Sequence, residues 1–211
     1  MKLAVRLLGP SAALAAAACL LAGCATTRVA ADWSDPEFKG RSLRGERVLV
    51  VCDADSTAAK RICQDKLAAE ARAVGAIPVG GAEAATLTAG PPPANDKTLA
   101  AARAAGARAI LAASIGPEAT FVSGGPSLGV GFGGWGGGRV SGAGIGIGIG
   151  IPIGGGEAHS AYAASIGLTD VATVRLMWSS KVTSPASRSV NAQIADLARV
   201  GVEAARKAGF F

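Results

Sequence analysis

The sequence is poor in the residues that build most active sites. Among its 211 residues there are one His, one Tyr and four Cys, and aromatics make up 4%. One His and four scattered Cys leave no C-x-x-C…H-x-x-x-H cluster, so a zinc fold is excluded and no metal or cofactor set can be named. So few aromatics give no stacking platform for bases, and 21 Lys and Arg against 15 Asp and Glu is too small an excess for a nucleic-acid footprint. What is abundant is small. There are 30 Gly in a chain that is 50% hydrophobic. The length suits a single domain.

The amino terminus carries an address. Lys2 and Arg6 form a short positive region, and Leu7 to Leu21 is an almost uninterrupted small-apolar run. That run is short for a membrane span, which needs roughly 20 residues, and fits a secretory signal. It ends in Leu21-Ala22-Gly23-Cys24, which resembles the lipobox of bacterial lipoproteins. Small residues let a peptidase reach the bond before Cys24, whose thiol receives a diacylglycerol. The resemblance implies residues 1–23 as a removed signal peptide and Cys24 as an acylated anchor. By the sorting rule of such proteins, Ala25 implies export to the outer membrane, with the protein facing the periplasm. Several acyl chains on one residue anchor stably where one chain binds only marginally. The mature chain would hold 188 residues with 19 basic against 15 acidic side chains.

Cys19 leaves with the signal, so Cys52 and Cys63 are the remaining thiols. An oxidising periplasm favours a disulfide between them. A bridge needs Cα atoms within about 7 Å, which here requires the helix carrying Cys63 to start late and fold back tightly. Two buried, inert thiols are the alternative.

Residues 24–45 are polar and irregular and read as a lipidated tether, with Trp33 of Trp33-Ser34-Asp35-Pro36 docking on the domain that follows. The domain spans 46–211. Arg47 to Cys52 is a β-branched run that predicts a buried strand. Ala59, Ile62, Cys63, Leu67, Ala71 and Val74 recur at helical spacing, and Gly75 stops that helix. Ala76 to Val79 predicts a short strand that Pro78 places at a sheet edge. Asn95-Asp96 starts a helix ending before Gly106, and Arg108 to Ile115 is a third strand. Tyr162, Ala164, Ile166 and Leu168, a turn at Thr169-Asp170, then Val174, Leu176 and Trp178 predict an antiparallel hairpin. Val190, Ile194, Leu197, Gly201, Ala204, Ala205 and Ala208 form the small-residue stripe of a closing helix. The class is α/β in its α+β variant: a β-α-β-α-β core, a hairpin and a carboxyl-terminal helix.

A glycine-rich insertion at 123–158 interrupts this domain and holds 17 of the 30 glycines. Gly144 to Ile153 alternates Gly with Ile except at Pro152, and Leu128, Val130 and Phe132 alternate with Gly. Period two is strand geometry with one apolar and one bare face. Ala143 to Ile153 has the length of a membrane-crossing strand, about 9–11 residues, with Leu128 to Trp135 as its partner. Competing readings are a low-complexity insertion or an apolar contact surface.

In this order, the lipobox, the Trp-x-Asp-Pro tether, the strand–helix core, the glycine-rich insertion, Leu168-Thr169-Asp170…Trp178 and the closing helix resemble small outer-membrane lipoproteins of uncharacterised function. The core is similar to the amino-terminal domain of TolB and to the curli-secretion lipoprotein CsgG. The resemblance implies no enzymatic activity. CsgG-like members contribute β-hairpins to oligomeric pores, which bears on residues 128–153.

Three other patterns reduce to simpler readings. Gly129 to Gly134 matches G-x-G-x-x-G, but more glycine follows where a dinucleotide site needs a helix. His159 and Ser160 have no nucleophile elbow and no second His. Asp53 and Asp55, at the carboxyl end of the first strand, read as helix caps before they read as ligand contacts. No catalytic residue is expected. The expected function is a non-enzymatic, lipid-anchored adaptor or envelope-assembly module. Its partners are membrane lipid at Cys24, and a protein or a second copy at the glycine-rich segment; nucleic acid is not among them. The alternative is an oligomeric CsgG-like channel subunit.

Overall fold

Val48, Val50 and Cys52 alternate with Leu49 and Val51, and both sets are buried. A strand apolar on both sides belongs inside a sheet covered on both faces. In the computed structural model, which describes residues 26–80, 95–123 and 157–211, this run is β2 (Arg47–Ala54), an interior strand of a six-stranded mixed sheet. The other elements are β1 (Arg28–Ser34), α1 (Thr57–Ala73), β3 (Ile77–Val79), α2 (Asp96–Ala104), β4 (Ala109–Ser123), β5 (Glu157–Asp170), β6 (Leu176–Thr183) and α3 (Val190–Lys207). The strand order is β1-β6-β5-β4-β2-β3. β2 runs parallel to β3 and β4, and every other pairing is antiparallel. The α+β class expected from the sequence is the class observed.

Each helix starts on a side-chain cap. Ser56 Oγ accepts from the Ala59 amide at 3.1 Å, Asn95 Oδ1 from Thr98 at 3.0 Å and Ser189 Oγ from Ala192 at 3.2 Å. The cap of α1 is therefore Ser56 and not Asp53 or Asp55, because Asp53 and Ala54 still pair with Ser114 and Ile115 of β4. Pro78 lies in the edge strand β3, where a missing amide costs no ladder bond.

Helices α1 and α3 cover one face, burying Cys63, Leu67, Ile194, Leu197 and Val202 against Val50, Leu111, Ile166 and Trp178. Helix α2 covers part of the other face, with Leu99 and Ala102 over Leu49, Val51 and Ile110. The stripe of α3 sits close on the sheet. A Cβ at Gly201 would lie 2.1 Å from Ile166 Cδ1, so only glycine allows this approach.

Two expectations are revised. Residues 28–45 are not an irregular tether: β1 is the edge strand beside β6, paired from Arg28↔Thr183 to Ser34↔Trp178. All seven of its residues are exposed, so backbone bonding holds it and no burial alternation marked it in the sequence. After it, Asp35 caps a 3₁₀ turn at Pro36–Phe38, and Phe38 and Leu43 are fully packed into the core. Trp33 is 50% exposed on the edge strand rather than docked. Secondly, the third strand passes Ile115 and runs to Ser123, while β5 begins at Glu157 and not at Tyr162. Among the described residues no helix is long and apolar enough to cross a membrane.

Candidate functional site: the ribbon end

The strands of the sheet do not stop together. β2 ends where Ala54 pairs with Ile115, and β6 ends where Thr183 pairs with Ala163. β4 and β5 continue to pair as far as Ser123↔Glu157. Residues 116–123 and 157–162 thus run beyond the other strands as a two-stranded ribbon, bordered at its foot by Ser184 and Ser187, whose amides donate to the Tyr162 and Ser160 carbonyls. Its base contains a register shift between Pro117 and Ala119, which accommodates a residue without an amide proton. Lys181 of β6 pairs with Glu118 at 2.5 Å beside that shift. On the other strand Gln193 Nε2, from the first turn of α3, donates to the Ser160 and Pro185 carbonyls at 2.8 and 2.7 Å. The ribbon is therefore rooted in the domain on both sides, and it holds the two ends of residues 124–156 next to each other.

The chain enters at the same end. β1 is antiparallel to β6, so Arg28 lies beside Thr183, and Thr183 lies beside Ala163 at the foot of the ribbon. Cys24 itself, the signal peptide, the G-x-G-x-x-G match and the Gly/Ile tract fall outside the described residues. Chain length still bounds Cys24: it precedes Arg28 by four residues, a reach of at most about 14 Å.

Between the starts of α1 and α3 lies a cleft of about 380 Å³, lined by Ala54, Asp55, Ile62, Ile115, Tyr162 and Val190. It sits beyond the carboxyl ends of the parallel strands, the usual ligand position in open α/β sheets. Its walls are mainly apolar and offer contact area. Asp55 lines it, whereas Asp53 remains in the β2 ladder opposite Ser114, so the structure does not bring the two together as a pair. Cys52, near the end of β2, and Cys63 of α1 are joined by a disulfide with Cα atoms 6.0 Å apart. The late start of α1 at Thr57 brings Cys63 back over the end of β2, and both residues are fully buried. The bridge pins α1 to β2.

His159 pairs with Phe121 in the ribbon and Ser160 with Thr120. Among the described residues no three His, Cys, Asp or Glu gather as metal ligands.

The opposite end was not visible in the sequence. There the 3₁₀ turn after β1 is clamped to the β5–β6 turn: Arg175 bonds Asp35 at 2.7 Å and also Glu37, and lies 5.3 Å from the centre of the Phe38 ring. The bond to Glu37, helped by the charge of Asp35, holds the Arg175 guanidinium above its ordinary pKa. Arg41 lies over the same ring at 5.0 Å. These residues are too far apart in the chain for any spacing rule to connect them.

No protein-family model and no curated protein matches the chain. Among solved structures it is similar to a PelC variant dodecamer from Paraburkholderia phytofirmans, at 18% identity and TM-score 0.45 over 83% of this chain and 94% of that one. A second crystal form of the PelC dodecamer gives 16% identity and TM-score 0.43, over 83% and 95%. Lipoprotein GNA1162 from Neisseria meningitidis gives 12% identity and TM-score 0.36, covering 68% of this chain and 84% of that one.

Proposed function

We propose that the chain is a non-enzymatic lipoprotein, anchored through acylated Cys24 in the outer membrane and facing the periplasm, where it acts as an adaptor or envelope-assembly module. The observation that carries this reading is the shared exit of the amino terminus and the ribbon from one end of the sheet. An acyl anchor within about 14 Å of Arg28, which lies two strands from the ribbon's foot, sets that end against the bilayer. The glycine-rich segment then starts and finishes beside the membrane, where it can meet a partner held at the same surface. The second reading is an oligomeric channel subunit of the CsgG kind built on residues 128–153. The Ser123↔Glu157 pairing favours it, because a membrane hairpin needs a paired stem.

Replacing residues 1–23 by an ordinarily cleaved signal peptide, together with Cys24→Ala, separates these readings. Release into the soluble periplasmic fraction is the expected result. Retention in the membrane that disappears on deleting residues 124–156 would transfer the case to the channel. A native protein whose measured mass shows no acyl group on Cys24 would sink the anchored reading in both forms.

A further inference from the structure

The end of the sheet farthest from the ribbon carries a second cavity, of about 440 Å³, whose lining includes Arg41, Arg103, Arg108, Asp170, Val171 and Thr173. Three guanidinium groups and one carboxylate thus face the same space. They come from four different places: the loop after the 3₁₀ turn, the last turn of α2, the head of β4 and the β5–β6 turn.

The carboxylate is already engaged. Asp170 Oδ2 accepts from the Thr173 amide at 2.8 Å and from Thr173 Oγ1 at 2.7 Å, which closes the turn. The guanidiniums are less fully engaged. Arg108 has a single carboxylate partner, Glu46, at 3.2 Å. Arg41 has the face of the Phe38 ring, which orients it but does not neutralise it. Arg103 has no carboxylate within ion-pair distance among the described residues, and its known neighbour is the carboxyl terminus of its own helix. The contrast with nearby arginines is informative. Arg44 donates to the Val74 carbonyl, Arg47 to the Ala105 carbonyl, and Arg175 holds both Asp35 and Glu37. Around this rim Arg44, Arg47 and Arg175 cap helix ends or bind carboxylates, whereas of the lining arginines only Arg108 has a carboxylate partner among the described residues.

We infer that this cavity is a binding site for an oxyanion of the phosphate class. Forked guanidinium donors match a tetrahedral phosphate in pairs, and the guanidinium is weakly hydrated enough to give up its water for such a partner. The volume admits a phosphate together with the group that bears it. Arg103 and Arg41 supply the unpaired charge, and Arg108 contributes the donors that Glu46 leaves free. Aromatic contact keeps Arg41 in place before the ligand arrives. The phosphate could belong to a soluble compound or to a lipid headgroup, and the test separates the two.

The test uses purified full-length protein and two probes: inorganic pyrophosphate, and phosphatidylcholine vesicles doped with phosphatidylglycerol. Pyrophosphate is expected to raise the melting temperature in a saturable way, as any ligand of the native state does. Arg103→Ala should weaken this binding at least tenfold, about 1.4 kcal/mol, and Arg41→Ala should weaken it similarly. Arg103 is exposed, so neither folding nor the unliganded melting temperature should change. Arg61→Ala, on the helix start at the ribbon end, is the charge-matched control and should bind as the parent does. Sedimentation with doped vesicles that is lost in Arg103→Ala, without any response to pyrophosphate, supports the site and names a lipid headgroup as its source. Absence of both responses, or binding equally weakened by Arg61→Ala, overturns it.

Discussion

The two ends of this molecule are built on different principles. At the ribbon end, main-chain pairing does the work. β4 and β5 run on past the ends of β2 and β6, the first turn of α3 holds Ser160 through its carbonyl, and a disulfide ties α1 to the end of β2. At the far end, main-chain pairing stops with the sheet and long charged side chains take over, with Arg41 and Arg175 flanking one buried ring. The comparison teaches that one sheet can present a surface made of backbone at one edge and a surface made of charge at the other.

The largest blow to this contrast should come from the charged end. Phe38 is 2% exposed and is the platform for both guanidiniums. Phe38→Ala should cost about 3–5 kcal/mol in urea unfolding, the usual range for a buried phenylalanine. A loss under about 1 kcal/mol would mean that the residues before β2 pack only loosely on the domain. At the ribbon end the matching experiment is Cys52→Ala with Cys63→Ala. The bridged residues are 11 apart, and a closed loop of that size contributes about 2–3 kcal/mol. Equal unfolding midpoints for oxidised and dithiothreitol-treated parent protein would show that the bridge does not stabilise that end. Between the two ends, Gly201→Ala sharpens the comparison, because it disturbs α3 over the middle of the sheet. The added carbon meets Ile166 Cδ1 at 2.1 Å, so overpacking should cost about 1–2 kcal/mol despite alanine's better helix propensity. Stabilisation instead would show that Ile166 rotates away without penalty.

Much of the fold was legible because it is local. Val48 to Cys52, the edge proline Pro78, the Asn95 cap and the stripe through Ile194, Leu197 and Gly201 each announce themselves within a few residues, and each is found where it was expected. β1 was not legible, since a strand whose seven residues are all exposed carries no alternation to detect. The ribbon was missed for a related reason: Gly116-Pro117 reads as the end of a strand, and only its pairing with Ala163 and Tyr162 shows the strand continuing. Asp53 and Asp55 had the right composition for a cap, but the β2–β4 ladder held Asp53 in the strand and left the cap to Ser56.

By itself, then, the sequence determined an α+β core, the type of nearly every element, and a glycine-rich interruption between two strands. These are short-range properties, set by side-chain size and polarity at neighbouring positions. The tertiary structure alone decided what depends on residues far apart in the chain. It placed Arg28 at the same end of the sheet as the foot of the ribbon, brought the Cα atoms of Cys52 and Cys63 to 6.0 Å, and gathered Arg41, Arg103 and Arg108 around one cavity. Those relations follow from strand order and register, which arise only when backbone pairing and core packing are satisfied together.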